Sequence, residues 1–221
     1  MTDALSPRAF QAADGTGDWR VLGDGAAAFF RTADLAASAR FVAAIAGSPG
    51  VPGHAPDIDI RHDGVTVHTV TRSDEAFGLG RRDVELARAV SSIAAAHGLT
   101  ADPSVLSSTI IVVGSPDPAT VMPFWQAVLG YRRRPDSPDE DLVDPGDRGV
   151  DYWFESMDAP RGDGGGAIHI GVFVPDELAE ARVAAALAAG GRIVRDHAPA
   201  WWTLADAAGN EADVASALPR G

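Results

Sequence analysis

Histidine is the side chain most often used for proton transfer near neutral pH, and half of the histidines of this chain lie in one short stretch. Three of the six, His54, His62 and His68, fall between Gly53 and Thr71. Imidazoles held close together can donate protons to a bound organic substrate and accept protons from it. The stretch is the first indication of function, and it points to general acid–base chemistry.

A predicted β-hairpin carries these histidines. Asp57–His62 and Val65–Thr71 are strand-like segments rich in Ile, Val and Thr. The dipeptide between them, Asp63-Gly64, is typical of a two-residue type I′ turn, in which both central residues need positive φ. The composition of the two segments and of their connection therefore predicts an antiparallel strand pair.

Alternation along the second predicted strand sorts its side chains onto two faces. His68 and Arg72 share one face, and Thr69 and Thr71 share the other. Two interpretations of His68 follow. Either it takes part in proton transfer on the face of Arg72, or it is a half-buried strand histidine with no role in chemistry.

A first hairpin and two helices complete the N-terminal half. Trp19–Leu22 and Ala26–Arg31 flank a Gly-Asp-Gly turn, and Thr32 is placed to cap the helix that follows. A second helix comes after the histidine-bearing hairpin and stops at Gly98. The order hairpin, helix, hairpin, helix predicts an antiparallel sheet with helices on one face. The apolar stripes of the two helices comprise Leu35, Val42 and Ile45, and then Leu86, Val90, Ile93 and Ala94.

The C-terminal half repeats one pattern of elements. After a predicted linker at Thr100–Ser104, a buried-type strand, an aspartate, a helix and further strands follow in order. The same order recurs after a connection at Asp158–Gly166, and in this repeat Ile110 corresponds to His169. The pattern predicts an internally duplicated βαβββ unit.

The caps and turns of this half leave one alternative open. Either Asp117 or Thr120 begins the first helix, and Pro123 fits only within the first helical turn, where its missing N–H has no partner to lose. Asp176 caps the second helix. Arg132–Arg134, which precedes a run of acidic residues, is predicted to lie in a solvated loop.

Composition narrows the classes of function. The chain has no cysteine and no lysine, which excludes disulfides, cysteine nucleophiles and lysine Schiff bases. A formal net charge of −13 repels phosphate backbones, so no nucleic-acid partner is expected. Because there is no membrane-length apolar run and no signal-peptide pattern at the N-terminus, we expect no membrane partner and a cytoplasmic location.

A series of short segments suggests a family for the N-terminal half. They are Asp18–Leu22, Phe30–Thr32, Ala39–Ala46, Pro56–Ile60, Gly78-Leu79 and Arg82–Ala87. With these segments, residues 5–98 resemble the pterin-4a-carbinolamine dehydratase family. The resemblance implies the dehydration of a 4a-hydroxytetrahydropterin, which is a lyase reaction.

The same resemblance implies catalytic residues. The family signature, His-His-Pro and then Thr-His, reads His54-Ala55-Pro56 and Thr71-Arg72 here. Alanine carries no proton and arginine is a poor general base, so we expect dehydration to be weak or lost. The predicted catalytic residues are His54 as acid/base, Arg72 as a substrate contact, and His68. The predicted substrate-binding residues are Pro56, Asp57 and His62.

A second set of segments, together with the duplication, suggests a family for the C-terminal half. They are Asp117-Pro118, Phe124-Trp125, Leu129-Gly130 and Asp206–Glu211. With them, residues 106–217 resemble the vicinal-oxygen-chelate, or glyoxalase-like, superfamily. Members often place one divalent metal inside a curved sheet, held by two residues from each βαβββ repeat.

The metal positions implied by this resemblance are incompletely filled. They fall on Ile110 and Trp153 in the first repeat and on His169 and Asp213 in the second, and Glu155 is an alternative to Trp153. Because isoleucine supplies no ligand, we expect no bound metal and no cofactor, and a pocket that takes an organic ligand by shape and apolar contact. The predicted substrate-binding residues in this half are Trp153 and Trp202.

Two interpretations of function remain. In the first, a weak dehydratase-like lyase domain at residues 1–100 is fused to a glyoxalase-like domain at residues 104–221. In the second, the first domain is a non-catalytic module, and the second domain binds a small molecule or acts as a weak metal-dependent enzyme. Both predict an α+β homo-oligomer whose partner is a small molecule, either a pterin or another organic compound.

Overall fold

The computed structural model describes residues 4–49, 51–73, 76–157, 168–205 and 211–217 of the 221-residue chain. The chain divides into two compact units. The N-terminal unit consists chiefly of Met1–Arg72 and Phe77–Ser107, and the C-terminal unit chiefly of Ser108–Ser216. Both units combine helices with antiparallel strand pairs, which confirms the predicted α+β class.

The N-terminal unit is built on a four-stranded antiparallel sheet of order β2-β3-β5-β4. A smaller sheet, of order β1-β7-β6, lies in the same unit. The strands are β1 (Ala4–Leu5), β2 (Arg20–Leu22), β3 (Gly25–Arg31), β4 (Asp57–Arg61), β5 (Gly64–Thr69), β6 (Thr71–Ser73) and β7 (Ala76–Gly80). The helices are α1 (Pro7–Gln11), α2 (Leu35–Ala46) and α3 (Arg81–Ala96).

One face of the four-stranded sheet packs against α2 and α3, as the order of elements predicts. Phe30 and Val65 on the sheet, Phe41 on α2 and Val90 on α3 are fully buried in a single core. Burying each side chain of this size contributes on the order of 1.5–3 kcal/mol, so this face is a major source of the unit's apolar stabilisation. The helix α3 ends as predicted, because Gly98 adopts a φ of +67°.

The turn of the central hairpin differs from the predicted one. Arg61 pairs with Gly64, so His62 and Asp63 form the turn, and none of these residues has positive φ. The predicted type I′ turn at Asp63-Gly64 is therefore wrong. Glycine serves packing here: a Cβ at Gly64 would collide with the Phe29 ring and lie 2.5 Å from the carbonyl oxygen of Phe30.

Two further predictions for this unit need correction. The helix α2 is capped by Asp34, whose side chain accepts the Ala37 N–H at 2.7 Å, whereas Thr32 bonds Ser38 instead. The predicted strand Val65–Thr71 is interrupted at Val70, after β5 has ended at Thr69. The cap differs only in its place within one short segment, because Asp34 is itself a good N-cap residue two positions after Thr32.

The C-terminal unit contains one eight-stranded sheet of order β13-β14-β15-β12-β8-β11-β10-β9. Its first repeat is β8 (Ser108–Ser115), α4 (Pro118–Leu129), β9 (Arg132–Arg134), β10 (Ser137–Val143) and β11 (Asp151–Ser156). Its second repeat is β12 (Ile168–Phe173), α5 (Asp176–Ala188), β13 (Arg192–His197), β14 (Trp201–Ala205) and β15 (Glu211–Ala215). The predicted βαβββ duplication is confirmed.

The two repeats meet at the centre of this sheet. β8 and β12 pair antiparallel, and each is flanked by the last strand of its own repeat in parallel orientation. The helices pack on one face, α4 against a cluster that includes Val113 and Phe154, and α5 against one that includes Trp202 and Val214. Alternation then places His169, Gly171 and the residues level with them on the face without helices.

The structure also shows which of the two candidate residues caps α4, and it corrects three expectations for this unit. Asp117 caps α4, and Pro123 lies inside the helix and not in its first turn, which Pro118 occupies. Asp176 is the first residue of α5 and not its cap. Arg132–Arg134 forms the edge strand β9 instead of a loop. The predicted connection at 158–166 and the segment 206–210 lie outside the described residues.

Candidate functional site

His54 lies in a hydrogen-bonded group that we call the Asp83 cluster. Its Nε2 atom is 2.7 Å from Asp83 Oδ1 and 3.1 Å from Thr69 Oγ1. The hydroxyls of Thr69 and Thr71 donate to the same carboxylate at 2.6 and 2.7 Å. The backbone N–H of Gly80 donates to it at 2.7 Å. Asp83 is fully buried, and four donors surround its two oxygens.

The position of Asp83 in the chain explains why the interior accommodates a carboxylate. It is the third residue of α3, and negative charge is favoured in the first turn of a helix. Burial raises the pKa of Asp83, but hydrogen bonds from Thr69, Thr71, His54 and the Gly80 N–H outweigh burial and hold that pKa below its ordinary value. The carboxylate is therefore ionised at neutral pH and accepts the Nε2–H of His54.

A pocket of about 380 Å³ opens beside His54. One wall is the segment that leads into β4, and the other is the first two turns of α3. Its lining is Pro49, Val51, Gly53, His54, Arg82, Glu85, Leu86 and Ala89. The Nε2 atom of His54 is committed to the Asp83 cluster, so the imidazole contributes to this pocket as part of a fixed wall.

The other predicted catalytic residues form a separate group, the Asp57 cluster, made of Asp57, His68 and Arg72. Arg72 Nη1 donates to Asp57 Oδ2 at 3.2 Å, and its guanidinium lies over the Phe77 ring at 5.8 Å. His68 Nδ1 is 3.7 Å from Asp57 Oδ2, which is long for a hydrogen bond. The His68 imidazole lowers the pKa of Asp57 most, and Arg72 adds to this effect against the opposing effect of burial.

The two clusters lie on opposite faces of the N-terminal sheet. Thr69 points to the helices with Val67, whereas His68 pairs with Asp57 on the other face. The structure therefore does not bring His54 together with His68 and Arg72. Of the described residues, none is a hydrogen-bond partner of the buried His68 Nε2 atom, and Asp24 Oδ1 lies 3.8 Å from it.

The predicted substrate-binding residues of this unit occupy different places. Asp57 belongs to the Asp57 cluster, and Pro56, half-buried, precedes it at the start of β4. His62 lies in the hairpin turn with 92% of its side chain exposed. Because strand residues rise about 3.3 Å each, the turn is far along the hairpin from the Asp57 cluster. A substrate held by Asp57 would not reach His62.

In the C-terminal unit, His169 and Asp213 bond to each other. His169 Nε2 is 3.1 Å from Asp213 Oδ2, and Thr203 Oγ1 donates to Asp213 Oδ1 at 2.6 Å. Burial raises the pKa of Asp213, but the bonds from His169 and Thr203, with the charge of Arg195, outweigh it and hold that pKa below its ordinary value. This arrangement keeps the carboxylate ionised and fixes the ring of His169.

These residues do not fit the metal site that the fold family implies. His169 and Asp213 use their facing atoms on each other, and Ile110 puts apolar bulk at the corresponding position of the first repeat. Trp153 on β11 is level with His169 across the sheet. Glu155 lies two residues further along β11, beside Gly114. Among the described residues, no group of three His, Asp or Glu side chains is placed to hold an ion.

Of the two tryptophans predicted to bind substrate in this unit, one lies at the surface and the other in the core. Trp153 is 36% exposed and lies on the face of the sheet that carries no helices. We call this the helix-free face and define it by Ile110, Val112, Trp153, His169, Gly171 and Asp213. Trp202 is buried against α5, so the substrate contact predicted for it does not fit its position. Its neighbour Trp201 points to the opposite face and stacks on His197 with ring centroids 3.9 Å apart.

Sequence reasoning missed Asp83, Thr203 and Arg195 as site residues. For Asp83 a signal was present, because it falls on the helical spacing of Leu86 and Val90, where a core-facing helix otherwise has apolar residues. For Thr203 and Arg195 no local signal exists. Their roles depend on the register that sets Arg195 and Asp213 opposite Thr203 on adjacent strands.

Comparison with protein families gives two matches that together cover most of the chain. Residues 3–93 match the family described as pterin 4 alpha carbinolamine dehydratase. Residues 110–215 match the family described as glyoxalase-like domain. A search of curated proteins finds no significant match. No helix in the described parts of the chain has the length and apolar character needed to cross a membrane.

Two solved structures resemble about half of the chain. An NAD-dependent benzaldehyde dehydrogenase from Legionella pneumophila is 11% identical with a TM-score of 0.38, over 49% of this chain and 97% of that one. A glyoxalase/bleomycin resistance protein/dioxygenase superfamily member from Vibrio splendidus 12B01 is 19% identical with a TM-score of 0.33, over 50% of this chain and 99% of that one. The family matches, and not these structures, carry the domain assignment.

Proposed function

We propose that this chain, which joins a pterin-4a-carbinolamine dehydratase-like domain to a glyoxalase-like domain, is a small-molecule-binding protein whose dehydratase activity is weak or lost. Both families make a small organic ligand the natural partner. Each domain has its own candidate site and its own test.

The observation that carries the proposal is that His54 is the one imidazole left at the signature positions. The bond from its Nε2–H to the buried Asp83 carboxylate at 2.7 Å orients the ring and leaves Nδ1 as the nitrogen that can exchange a proton with a substrate. The two other signature positions carry Ala55 and Arg72, neither of which can act as a general acid–base near neutral pH. The proton-handling set of the dehydratase signature is therefore incomplete.

His68 supports a residual activity as a secondary possibility within this domain. It lies beside Asp57, which Arg72 also contacts, and its Nε2 atom has no hydrogen-bond partner among the described residues, with Asp24 Oδ1 3.8 Å away. An imidazole beside a carboxylate and a guanidinium can accept a proton from a bound pterin, although from a different strand position than the signature uses. We expect any turnover that remains to depend on His68.

A dehydratase assay with 4a-hydroxytetrahydropterin tests the proposal. Because a positioned acid–base group contributes about 10²–10⁴-fold, the unmodified chain should be slower by that order than its repaired variant, Ala55→His with Arg72→His. His68→Ala should remove what activity remains, and His62→Ala, at the exposed turn, is the matched control that should not. Robust turnover by the unmodified chain that survives His68→Ala would overturn the proposal.

A second candidate function belongs to the glyoxalase-like domain, and the bond between His169 and Asp213 favours it. The two residues that would be secure metal ligands are instead linked to each other and to Thr203. Such a network suits recognition of an organic ligand by hydrogen bonding and shape, without an ion. Metal analysis and ligand binding by the purified protein test this function independently of the dehydratase assay.

A further inference from the structure

We infer that His68 is a proton-dependent latch within the N-terminal sheet. When its imidazole carries two protons, it donates one N–H to Asp24 and the other to Asp57, and so ties the turn between β2 and β3 to β4. This device is separate from the Asp83 cluster and does not depend on which small molecule the domain binds. Its basis is threefold: two carboxylates at the ring nitrogens, buried atoms without a hydrogen bond, and close packing of the turn on the ring.

The imidazole of His68 lies between two carboxylates from different elements. Its Nδ1 atom is 3.7 Å from Asp57 Oδ2 at the start of β4, and its Nε2 atom is 3.8 Å from Asp24 Oδ1 in the turn that joins β2 to β3. An ionised carboxylate only accepts hydrogen bonds, and a neutral imidazole has a single N–H. Neutral His68 can therefore donate to one of these carboxylates only, whereas an imidazolium ion can donate to both.

Burial makes the missing hydrogen bond unfavourable. The Nε2 atom of His68 and the Oδ1 atom of Asp24 are both shielded from solvent, and neither has a hydrogen-bond partner among the described residues. Buried polar atoms without partners destabilise the folded state. A charge-assisted N–H···O bond is about 2.7–2.9 Å long, so a movement of the turn by about 1 Å would join the two atoms. A second proton on His68 favours that movement.

The turn already packs closely on the ring. Gly25, which follows Asp24, has a φ of +143°, and a Cβ there would lie 2.8 Å from His68 Nε2 and 2.6 Å from the Thr69 carbonyl oxygen. Because glycine has no side chain, the backbone of the turn can lie directly against β5 beside the imidazole. The side chain of His68 is 19% exposed, whereas that of Asp24 is 41% exposed and so has room to approach the ring.

Two arginines are the other charged groups near this ring in the described part of the unit. Arg72 on β6 donates to Asp57 at 3.2 Å. Arg20 on β2 lies in the same cross-strand row as His68, and two backbone carbonyl oxygens that precede β2 accept its hydrogen bonds at 2.9 Å. Among the described residues, His68 carries the one cationic group within ion-pair distance of Asp24. Protonated His68 is therefore the natural partner of this carboxylate.

Unfolding in urea at two pH values tests the latch in the full-length protein. An ordinary imidazole gains its second proton between pH 8 and pH 5.5, whereas ordinary carboxylates are ionised at both values. The unmodified chain is compared with Asp24→Ala, His68→Gln and the double variant. We expect the two substitutions to be coupled by about tenfold in the unfolding equilibrium constant at pH 5.5, and by less than about twofold at pH 8. The contribution is present at low pH and is lost as the pH rises.

The matched control for Asp24→Ala is Asp59→Ala, at an exposed carboxylate of the same sheet that bonds Arg61. It should show no coupling with His68→Gln at either pH, because its nearest cation is that arginine. Coupling between Asp24 and His68 that is absent at pH 5.5, or equal at the two pH values, would overturn the inference.

NMR of protein with nitrogen-labelled histidine follows the ring directly. At pH 5.5 both ring N–H protons of His68 should be visible, because hydrogen bonds to two carboxylates slow their exchange with water. His62, which is 92% exposed, is the internal control whose ring protons should exchange too fast to be seen. Asp24→Ala should remove the signal of the Nε2–H and keep that of the Nδ1–H. If Asp24→Ala fails to fold, the unmodified protein decides: a single N–H on His68 at pH 5.5 refutes the latch, and two support it.

Discussion

A histidine that survives from a catalytic signature can also connect elements of the fold. In this chain His54 keeps its place before β4 and bonds a buried carboxylate of the same domain. Asp83 fixes the ring, Thr69 and Thr71 fix Asp83, and the resulting group joins the start of α3 to the central strand. At the scale of residues, the Asp83 cluster is a structural connection whose loss should affect stability first.

Replacement of Asp83 tests this role. Asp83→Asn removes the charge and offers an NH₂ group to a site crowded with donors, so we expect a loss of about 2–4 kcal/mol of unfolding free energy at pH 7. The folded-state pKa of Asp83 is lowered, so its contribution is fully present above the unfolded pKa of about 3.9 and is lost as the pH falls through the folded value. Urea unfolding at several pH values measures both effects.

The control for this prediction is Asp59→Asn, at an exposed carboxylate on β4 that pairs with Arg61 two residues along the same strand. Exposed pairs of this kind contribute about 0–1 kcal/mol, so the control should behave nearly as the unmodified chain. The difference between the unmodified chain and Asp83→Asn should be constant from pH 7 to about pH 5 and should shrink below about pH 4. A difference that grows on acidification would contradict the assigned role.

The metal content of the protein is a second prediction at the scale of residues. Catalytic divalent sites need about three protein ligands, and His169 with Asp213 supplies two that already bond each other. We expect protein purified without chelator and then dialysed to carry far less than one metal ion per chain. Elemental analysis measures this directly. About one zinc, nickel, iron or manganese ion per chain, lost in His169→Ala, would contradict the expectation and favour a metal-dependent enzyme.

The elements show which features of the fold the sequence could predict. The duplicated C-terminal pattern and the alternation of the central hairpin are repeated over many residues, so local exceptions do not hide them. The turn at His62 and Asp63 could not be predicted from the Asp-Gly dipeptide, because Gly64 is needed for packing against Phe29, which another strand contributes. Similarly, the separation of His54 from His68 follows from which sheet face the helices cover, and that is a property of packing.

Gly64 gives a prediction at the scale of the hairpin. A methyl group there would collide with Phe29 and approach the Phe30 carbonyl oxygen, and backbone cannot move aside as a flexible side chain does. We expect Gly64→Ala to destabilise the N-terminal domain by roughly 1–3 kcal/mol, the usual cost of overpacking. Thermal or urea unfolding of the full chain gives the value.

Gly17→Ala is the matched control for Gly64→Ala. Gly17 is exposed, has no positive φ, and has no heavy atom within 4 Å of an added Cβ. Its replacement should be neutral or slightly stabilising, because alanine restricts the unfolded chain more than glycine does. Equal effects of the two substitutions would show that position 64 has no steric requirement for glycine.

The whole molecule combines two domains with a strongly acidic composition. A net charge of −13 disfavours polyanions as partners, and the central strands of the C-terminal sheet have the same sign of charge. Both candidate sites are therefore better matched to neutral or cationic small molecules than to phosphorylated ones. Specificity is expected to come from shape and from a few fixed hydrogen bonds, one set in each domain.

Self-association is the prediction that belongs to the whole molecule. The exposed side of α2 carries alanines at helical spacing beside a single arginine, Arg40: Ala36, Ala39, Ala43 and Ala46 lie on it, and Leu35 at its start is 66% exposed. Alanines at helical spacing let two helix backbones approach closely, which favours packing against a second copy of the chain. We expect a light-scattering mass of at least twice the 22.9 kDa of one chain at micromolar concentration.

Ala39→Glu should reduce that mass, because it would bury a charge in the contact, whereas Ala95→Glu on the exposed side of α3 should not. A mass near that of one chain for the unmodified protein would refute the prediction.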